Sequence, residues 1–578
     1  MATYALLLAL AHLAGLIFLS RMVDLGQQNL AVHWSFGAVY ALVGGLLGFA
    51  QFAAYARPNP WLSLIHRPRS PAAIAVALLG TGWLVMVLAI AIPIASTALW
   101  QETLTARVVD TRHWLLALAA WQIAACAYCC GVFAALAPRR FAAIGAVLLF
   151  WLINARATGW SMLAVQLLAL AWSIWMVAAL FKANREEPRK AAVAAIAIPL
   201  AMASYFLALM LFAAIELIWI AWGTHPNNSV PPLGGHNEVE KATAQDRMLA
   251  ALAQSDHADA ALLAEQVKLA EPISIGSSLS RLPQWFELAN VAPMEFDDDR
   301  LGIRYVFSHD DTRLHGYRVR DGSAAATLPF EFQHPPLPFG RLPGMRDGDA
   351  VLVARGRVYH YESEAQQVEL RVDLGDEALV SMAPVGEAYA ALSDQALYIF
   401  DARPFIAERG VVAPRARWPL PGAYGDLSNL DLIELVDGHL LVATFGHLAH
   451  DAVGTPPFQT AQVLRSDGSV DDIGRRALSH DFGWLYRYQA VWLSPGLYTL
   501  RERAKWLFAS PSLERTEPAP VPRAVWALAM VLGLLAVLVT LWRLHGLRRW
   551  PWMVASGLFG LPMLAALLLI ELDRETRR

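Results

Sequence analysis

Apolar runs of roughly membrane-spanning length constrain this 578-residue chain more than any other feature. They lie at about 3–20, 35–55, 72–99, 114–137, 141–155, 160–181, 191–222, 524–542 and 551–570. A helix needs about 20 apolar residues to cross a hydrocarbon core of about 30 Å. The sequence therefore predicts a polytopic α-helical membrane protein with about nine spans. A hydrophobic fraction of 56% against 16% charged residues, with mean hydropathy +0.39, agrees. Residues 3–20 carry no basic leader and no A-x-A-like cleavage site, so they read as a retained span. The run 141–155 is short and joined to the next by "NARATG", which leaves a re-entrant pair open as an alternative.

Orientation follows from the basic residues, which favour cytoplasmic loops. Arg57, Arg67 and Arg69, then Arg139 and Arg140, then Lys182, Arg185, Arg189 and Lys190, and finally Arg543, Arg548 and Arg549 all fall on one side if the spans alternate. The tail "ELDRETRR" opposes this pattern, and early short loops outweigh tails. The reading expected is a bacterial cytoplasmic (inner) membrane protein with residues 224–522 outside the cytoplasm. A net charge of −3 and the lack of a basic block interleaved with aromatics argue against nucleic acid. The three cysteines, Cys126, Cys129 and Cys130, share one apolar run, so no disulfide framework exists in the polar part. At i, i+3 and i+4 they share a helix face, which suits small-residue packing or, alternatively, a metal path. "VGGLLG", with Gly44, Gly45 and Gly48, permits close helix contact within a bundle or a dimer.

On this topology "WLSLIHRPRSPAAIAVALLG", residues 61–80, is a cytoplasmic loop between the second and third spans. The segment resembles one in permease subunits of type-two ABC exporters: a leucine-rich helix, a small or basic residue, Pro, any residue, Ser, then an Ile-Leu-rich span. Leu62, Leu64, Pro68, Ser70 and Ile74 stand in the matching places, with Ile65, Arg67 and Arg69 between them. The resemblance covers residues 1–190, a six-span core closing at "FKANREEPRK". It implies a coupling helix that docks on a separate ATPase subunit, within a homo- or hetero-dimeric permease. The acidic residues that commonly precede the segment are replaced by "RPNPW". A Pro/Arg loop that merely caps two helices under the positive-inside rule is the competing reading. The chain has no G-x-x-x-x-G-K-[ST], so a nucleotide-hydrolysing partner must be another chain. Ionisable groups within the runs reduce to His12, Glu216 and, near a turn, Arg156, fewer than a proton-coupled carrier needs.

After a seventh long span at 191–223, residues 224–299 read as an extracytoplasmic helical connector, with an Ala-rich helical stretch at 238–270. Residues 300–522 read as short alternating strands. Hairpins "AVLVARGRVYHY", "AYAALSDQALYIF" and "LDLIELVDGHLLVAT" recur about every 40 residues, and "GYRVRDGSAAAT" and "AQVLRSDGSVDD" share one turn type. That period predicts a β-propeller with room for about five blades, one completed from elsewhere. Residues 523–578 supply two final spans and a short tail. Quinone-dependent propeller dehydrogenases repeat a Trp per blade, whereas Trp285, Trp418, Trp484, Trp492 and Trp506 follow no period. "EFDDDR" (Asp297, Asp298, Asp299) and "SHDD" (His309, Asp310, Asp311) read as solvated acidic turns rather than calcium loops. "HLAHD" (His447, His450, Asp451) is a weak zinc-like pattern. No nucleophile elbow, His-Glu-x-x-His or paired catalytic carboxylates occur, so no catalytic, cofactor or metal residues are assigned.

Three functions are compatible with these features. The first is a permease subunit of an ATP-driven exporter or mechanotransmitter, its propeller binding a substrate or partner. The second is a membrane anchor that displays the propeller as a sensor or scaffold. The third is an outer-leaflet enzyme, for which "VVDTRHW" (Asp110, Arg112, His113) is the one polar cluster visible where spans meet the propeller.

Overall fold

The computed structural model describes residues 2–19, 30–154, 159–181, 190–228, 230–276, 285–288, 294–340, 345–447, 453–465, 468–504, 521–545 and 549–575. Its helices begin with α1 (Ala2–Leu19), α2 (Leu30–Tyr55), the short α3 (Pro58–Ile65) and α4 (Pro71–Met86). A π-helical turn (Val87–Ala91) joins α4 to α5 (Ile92–Leu104), so one rod covers 71–104. Then come α6 (Thr111–Leu136), a 3₁₀ turn (Arg139–Gly145), α7 (Ala146–Asn154), α8 (Gly159–Leu180) and α9 (Lys190–Ala221). Among the described residues six helices are long and apolar enough to span a membrane: 31–55, 71–104, 111–136, 160–180, 195–221 and 523–543.

Of the other three expected spans, the first is α1, and the remaining two are shorter apolar helices, at 141–150 and 561–571. The last of these shows why hydropathy alone overcounts. The apolar run at 551–570 is cut at Gly560, whose φ of +63° lies in a region that glycine enters freely. It divides α18 (Arg549–Phe559) from α19 (Leu561–Glu575), with α17 (Arg523–Arg543) preceding both. Likewise 141–155 spends its first turn as 3₁₀ helix and leaves only nine α-helical residues.

The centre of the bundle is α6, of which 78% is buried inside the protein, against 28–39% for the other five spans. Small side chains make that position possible. A Cβ at Gly44 would stand 2.2 Å from the Ala124 carbonyl oxygen, one at Gly48 2.2 Å from that of Tyr128, and one at Gly131 2.0 Å from that of Gly45. The glycines of "VGGLLG" thus let α2 and α6 meet backbone to backbone within one chain. Cys126, Cys129 and Cys130 are buried in the same helix, with Cys126 Sγ 3.2 Å from Ser173 Oγ and Cys130 bonded to the Gly145 carbonyl. Met563, Ala566 and Ile570 of α19 belong to the same apolar core.

Beyond α9, three short helices, α10 (His236–Lys241), α11 (Ala244–Leu252) and α12 (Ala260–Leu269), form the connector. Four antiparallel sheets follow in chain order, each a meander of consecutive strands. They are β2–β5 (from Glu295–Asp298 to Ala324–Thr327), β6–β9 (Leu337–Gly340 to Gln367–Asp373), β10–β13 (Leu379–Val385 to Ala416–Pro419) and β14–β17 (Leu427–Leu435 to Val470–Ala477). The expected hairpins are present: β7–β8 turns at Arg355-Gly356, β11–β12 at Asp394-Gln395 and β14–β15 at Val436-Asp437. A further strand, β1 (Ile273–Ser274), crosses back to pair with β14, so the last sheet takes a fifth strand from before the first. The connector docks on this same sheet: Met248, Leu252, Leu263 and Val267 bury against Ile433, Leu440, Val442 and Val463. Arg247 grips Asp431 with two hydrogen bonds of 2.6 and 2.7 Å.

Candidate functional site

The loop that resembles a coupling segment folds as α3 and an exposed turn. Pro58 and Pro60 start the helix, where missing N–H groups cost nothing. Trp61 and Leu64 are buried, and the Trp61 ring lies 5.2 Å from Phe181 at the end of α8. That contact pins one face to the bundle. Leu62 on the opposite face is 54% exposed, and Arg67, Pro68 and Arg69 lie in solvent. Ser70 caps α4 by accepting from Ala73 N at 3.2 Å, Pro71 takes the first helical position, and Ile74 is buried. The eight residues therefore divide: Leu64, Ser70 and Ile74 anchor, while Leu62, Arg67, Pro68 and Arg69 are presented. The Ile65 side chain is not among those described.

Two patterns that sequence reasoning kept apart, "VVDTRHW" and "SHDD", meet where α6 touches the first sheet. Asp110 is 1% exposed and Arg112 2%, in van der Waals burial against His309 at 3%. Asp110 Oδ1 accepts from Ser308 Oγ (2.9 Å) and His309 N (3.1 Å), and its Oδ2 from Arg112 Nε (3.3 Å). Arg112 also donates to the Glu287 carbonyl at 3.0 Å, and Asp310 accepts from Thr111 N and Oγ1 at 2.8 and 3.0 Å. The ends of α6 and of β3 (Ile303–Phe307) are thereby clasped together. His309 lies among Trp285, Phe286 and Phe307. Burial, with Arg112 and His113 nearby, pushes its pKa down to about 2, so it is a neutral imidazole.

The reading of "EFDDDR" as a solvated turn fails for one member. Asp298 is fully buried and accepts from Arg300 N, Leu301 N, Tyr361 Oη and Ser363 Oγ, stapling the first sheet to the second. Asp297 pairs with Arg304, and Asp299 is exposed. Of "HLAHD" only His447 is described; His450 and Asp451 lie outside the described residues, as does Arg156.

A second polar cluster at the span–sheet junction brings together Glu216 and His447, which the sequence marked separately, with residues it did not mark. Near the end of α9, side chains from residues 225–227 and 236–240, with Gly446, His447, Pro457 and residues of 480–487, line a cavity of about 230 Å³. Its floor is Glu216, which accepts from Tyr486 Oη and from His225 Nε2 at 3.2 Å. His225 Nδ1 in turn accepts from Asn227 N at 3.1 Å, which fixes the proton on Nε2. Both nitrogens of that imidazole are engaged, so it is no general base. On the wall, Asp481 accepts from Asn237 N at 2.9 Å, and Arg487 donates to His480 Nδ1 at 2.8 Å. Burial raises the Asp481 pKa and, with Arg487 and His236, lowers that of His480 to about 4. A single backbone bridge, Gly235 to Ser479, joins segments some 240 residues apart, which is why no spacing rule finds this site.

Inside the bundle the polar groups exceed those counted from sequence. His12 bonds the Ala89 carbonyl in the π-helical turn (2.9 Å) and Tyr40 Oη (3.2 Å). Tyr40 also lines a cavity of about 50 Å³ with His33, Gln101 and His113. His113 belongs to the cluster named from the sequence, whereas His33 was missed because it sits in the first turn of its helix, ahead of the apolar run. Among the described residues no group of three or more His, Cys, Asp or Glu side chains is arranged to hold a metal ion. No protein-family model matches this chain, and no curated protein matches it.

Proposed function

We propose that this chain is the membrane (permease) subunit of an ATP-driven exporter or mechanotransmitter of the type-two ABC kind. One observation carries the reading: α3 is fixed to the bundle on its Trp61–Leu64 face and offers Leu62 and the Arg67–Arg69 turn outward, between two spans. A short, proline-started helix of this kind suits a rigid lever against a partner's groove. The ATPase is a separate chain, and the permease works as a homo- or hetero-dimer. In this reading the loop faces the cytoplasm of a bacterium, and residues 224–522 lie outside the inner membrane. The four successive meanders form a β-propeller, with β1 joining its last blade to its start. The clasp at Asp110 then passes movement of the central α6 to the propeller. The propeller offers its face to an extracytoplasmic ligand or protein. The chain itself is no enzyme, and its polar pocket lacks an activated nucleophile.

The buried clasp also favours a second reading, a non-transporting anchor that holds the propeller rigidly as a sensor or scaffold. The double variant Arg67→Glu with Arg69→Glu separates the two. Docking on an ATPase predicts weaker association by ~1–3 kcal/mol on loss of charged contacts. Co-purification with the ATPase encoded beside it measures this, with surface labelling to check insertion. A variant that inserts correctly and keeps every partner and full activity leaves the loop a cap and removes the permease reading.

A further inference from the structure

We propose that the pocket at the outer end of α9 binds an aminoalkyl phosphate, a primary ammonium joined to a phosphate group, as carried by an ethanolamine phospholipid headgroup. The inference is independent of the permease reading.

Charge is the first argument. Three carboxylates, Glu216, Glu240 and Asp481, line the cavity against one guanidinium, Arg487. The imidazoles do not make up the difference. His480 is neutral at pH 7 and already accepts from Arg487. His225 spends both nitrogens on Asn227 and Glu216, and His236 Nε2 lies 2.8 Å from Ser428 Oγ. His236 Nδ1 also faces Glu240 at 3.9 Å, and His447 is the fourth imidazole of the lining. Three carboxylates against one guanidinium still leave the lining acidic, although burial raises the Asp481 pKa. An ammonium supplies positive charge, with three N–H donors for three carboxylates.

Unmatched polar atoms are the second argument. Buried donors and acceptors almost always find partners, and each exception needs a cause. Two exceptions fall on one wall of this cavity: Asp481 Oδ1 and Arg487 Nε are buried without a hydrogen-bond partner. Asp481 Oδ1 is pressed over Gly235, where a Cβ would stand 2.0 Å away. The Arg487 guanidinium carbon lies 5.3 Å from the Tyr488 ring centre. One acidic and one basic residue of the lining are thus each left with an unmatched buried atom, which the two ends of a zwitterion can complete. Arg487 is the phosphate partner and the carboxylates are the ammonium partners.

Position names the source. Glu216 lies five residues before the end of α9, about 7 Å along its axis at 1.5 Å per residue. Trp219 packs edge to face on Phe482 and on Tyr486, which stack on each other, the aromatic composition of a membrane interface. Trp484 and Leu485, on the short helix α14 (Trp484–Arg487) that bears Arg487, are exposed. Ile215 and Ile218 on α9 are exposed as well. A headgroup in the pocket leaves its acyl chains an apolar path down α9.

The test is native mass spectrometry of the full chain in detergent, titrated separately with ethanolamine, choline and glycerol phospholipids of equal chain length. The ethanolamine lipid is expected to be retained at least tenfold better. Choline lacks the N–H donors, and glycerol lacks the cation. Glu240→Gln and Arg487→Gln, checked for unchanged thermal unfolding, should each reduce its retention to the choline level. Displacement by an equal concentration of O-phosphoethanolamine assigns the site to the soluble compound, and resistance to it assigns the site to the lipid. Equal retention of the three lipids by the unaltered protein overturns the proposal, as does selectivity that both variants leave intact.

Discussion

At the scale of single residues the clasp between α6 and the first sheet makes the sharpest statements. Asp110→Asn removes the charge that Arg112 Nε meets at 3.3 Å inside a buried cluster, a change that costs about 1–3 kcal/mol. Thermal unfolding of the purified protein should register it as a clear fall in midpoint. His309 gives the pH dependence. Its pKa is about 2 when folded and 6.5 when free, so below pH 6.5 the unfolded chain binds the extra proton. Stability from this group is complete above pH 6.5 and falls as the pH drops, by about 2 kcal/mol at pH 5. His309→Phe should flatten that slope between pH 7 and 5, at a cost near ~1 kcal/mol for the bond from Phe286 N. An unchanged slope would remove His309 as its origin. The sequence marked Asp110, Arg112 and His113 as a polar cluster at this junction, but not their partners. Asp110 and Ser308 are 198 positions apart, and an aspartate in "SHDD" has the same letters whether it meets water or a neighbouring element.

Elements were far more legible, because periodicity and turn chemistry act locally. The Arg355-Gly356 turn arises where the sequence puts it, while the turn expected at Asp437-Gly438 falls one residue earlier and leaves Gly438, at φ +100° beside the Leu464 carbonyl, as the first residue of the returning strand. The α2–α6 seam was equally visible in Gly44 and Gly48, although not its partner. A direct test contrasts two glycines. Gly48→Val drives a side chain onto the Tyr128 carbonyl and should destabilise by at least the ~1–3 kcal/mol typical of an overpacked interior. Gly80→Ala, in a helix with nothing within 4 Å, should be neutral or gain up to about 1 kcal/mol. Equal midpoints for the two variants in detergent would deny the seam its role. Hydropathy misled where length was the issue. It counted 141–155 and 551–570 as spans, because apolar character says nothing of a 3₁₀ turn or of Gly560 breaking the rod. For residues 61–80 the sequence pattern did not distinguish the two faces of α3. Leu64 and Ile74 carry the expected letters yet point into the bundle.

At the scale of the whole molecule, the arrangement to check is sidedness. Val436 stands exposed in the β14–β15 turn, and the three native cysteines are buried in α6. Val436→Cys should therefore react with an impermeant maleimide added to intact cells, and reaction only after lysis would invert the orientation. The pocket belongs to this scale too. Its walls come from α9, the connector and the segment after β17, and no local rule could have gathered them. One feature of the sheets sets the order in which the molecule can be finished. Ile273 pairs with Leu432, so the strand made first waits for a partner made 159 residues later. At a synthesis rate of roughly 5–20 residues per second that wait lasts roughly 8–30 seconds. Throughout it, α1 to α9 are already made, and α17 to α19 do not yet exist. The β region can therefore be tied off only after the first membrane helices are in hand, and every strand it needs is complete before the last helices begin.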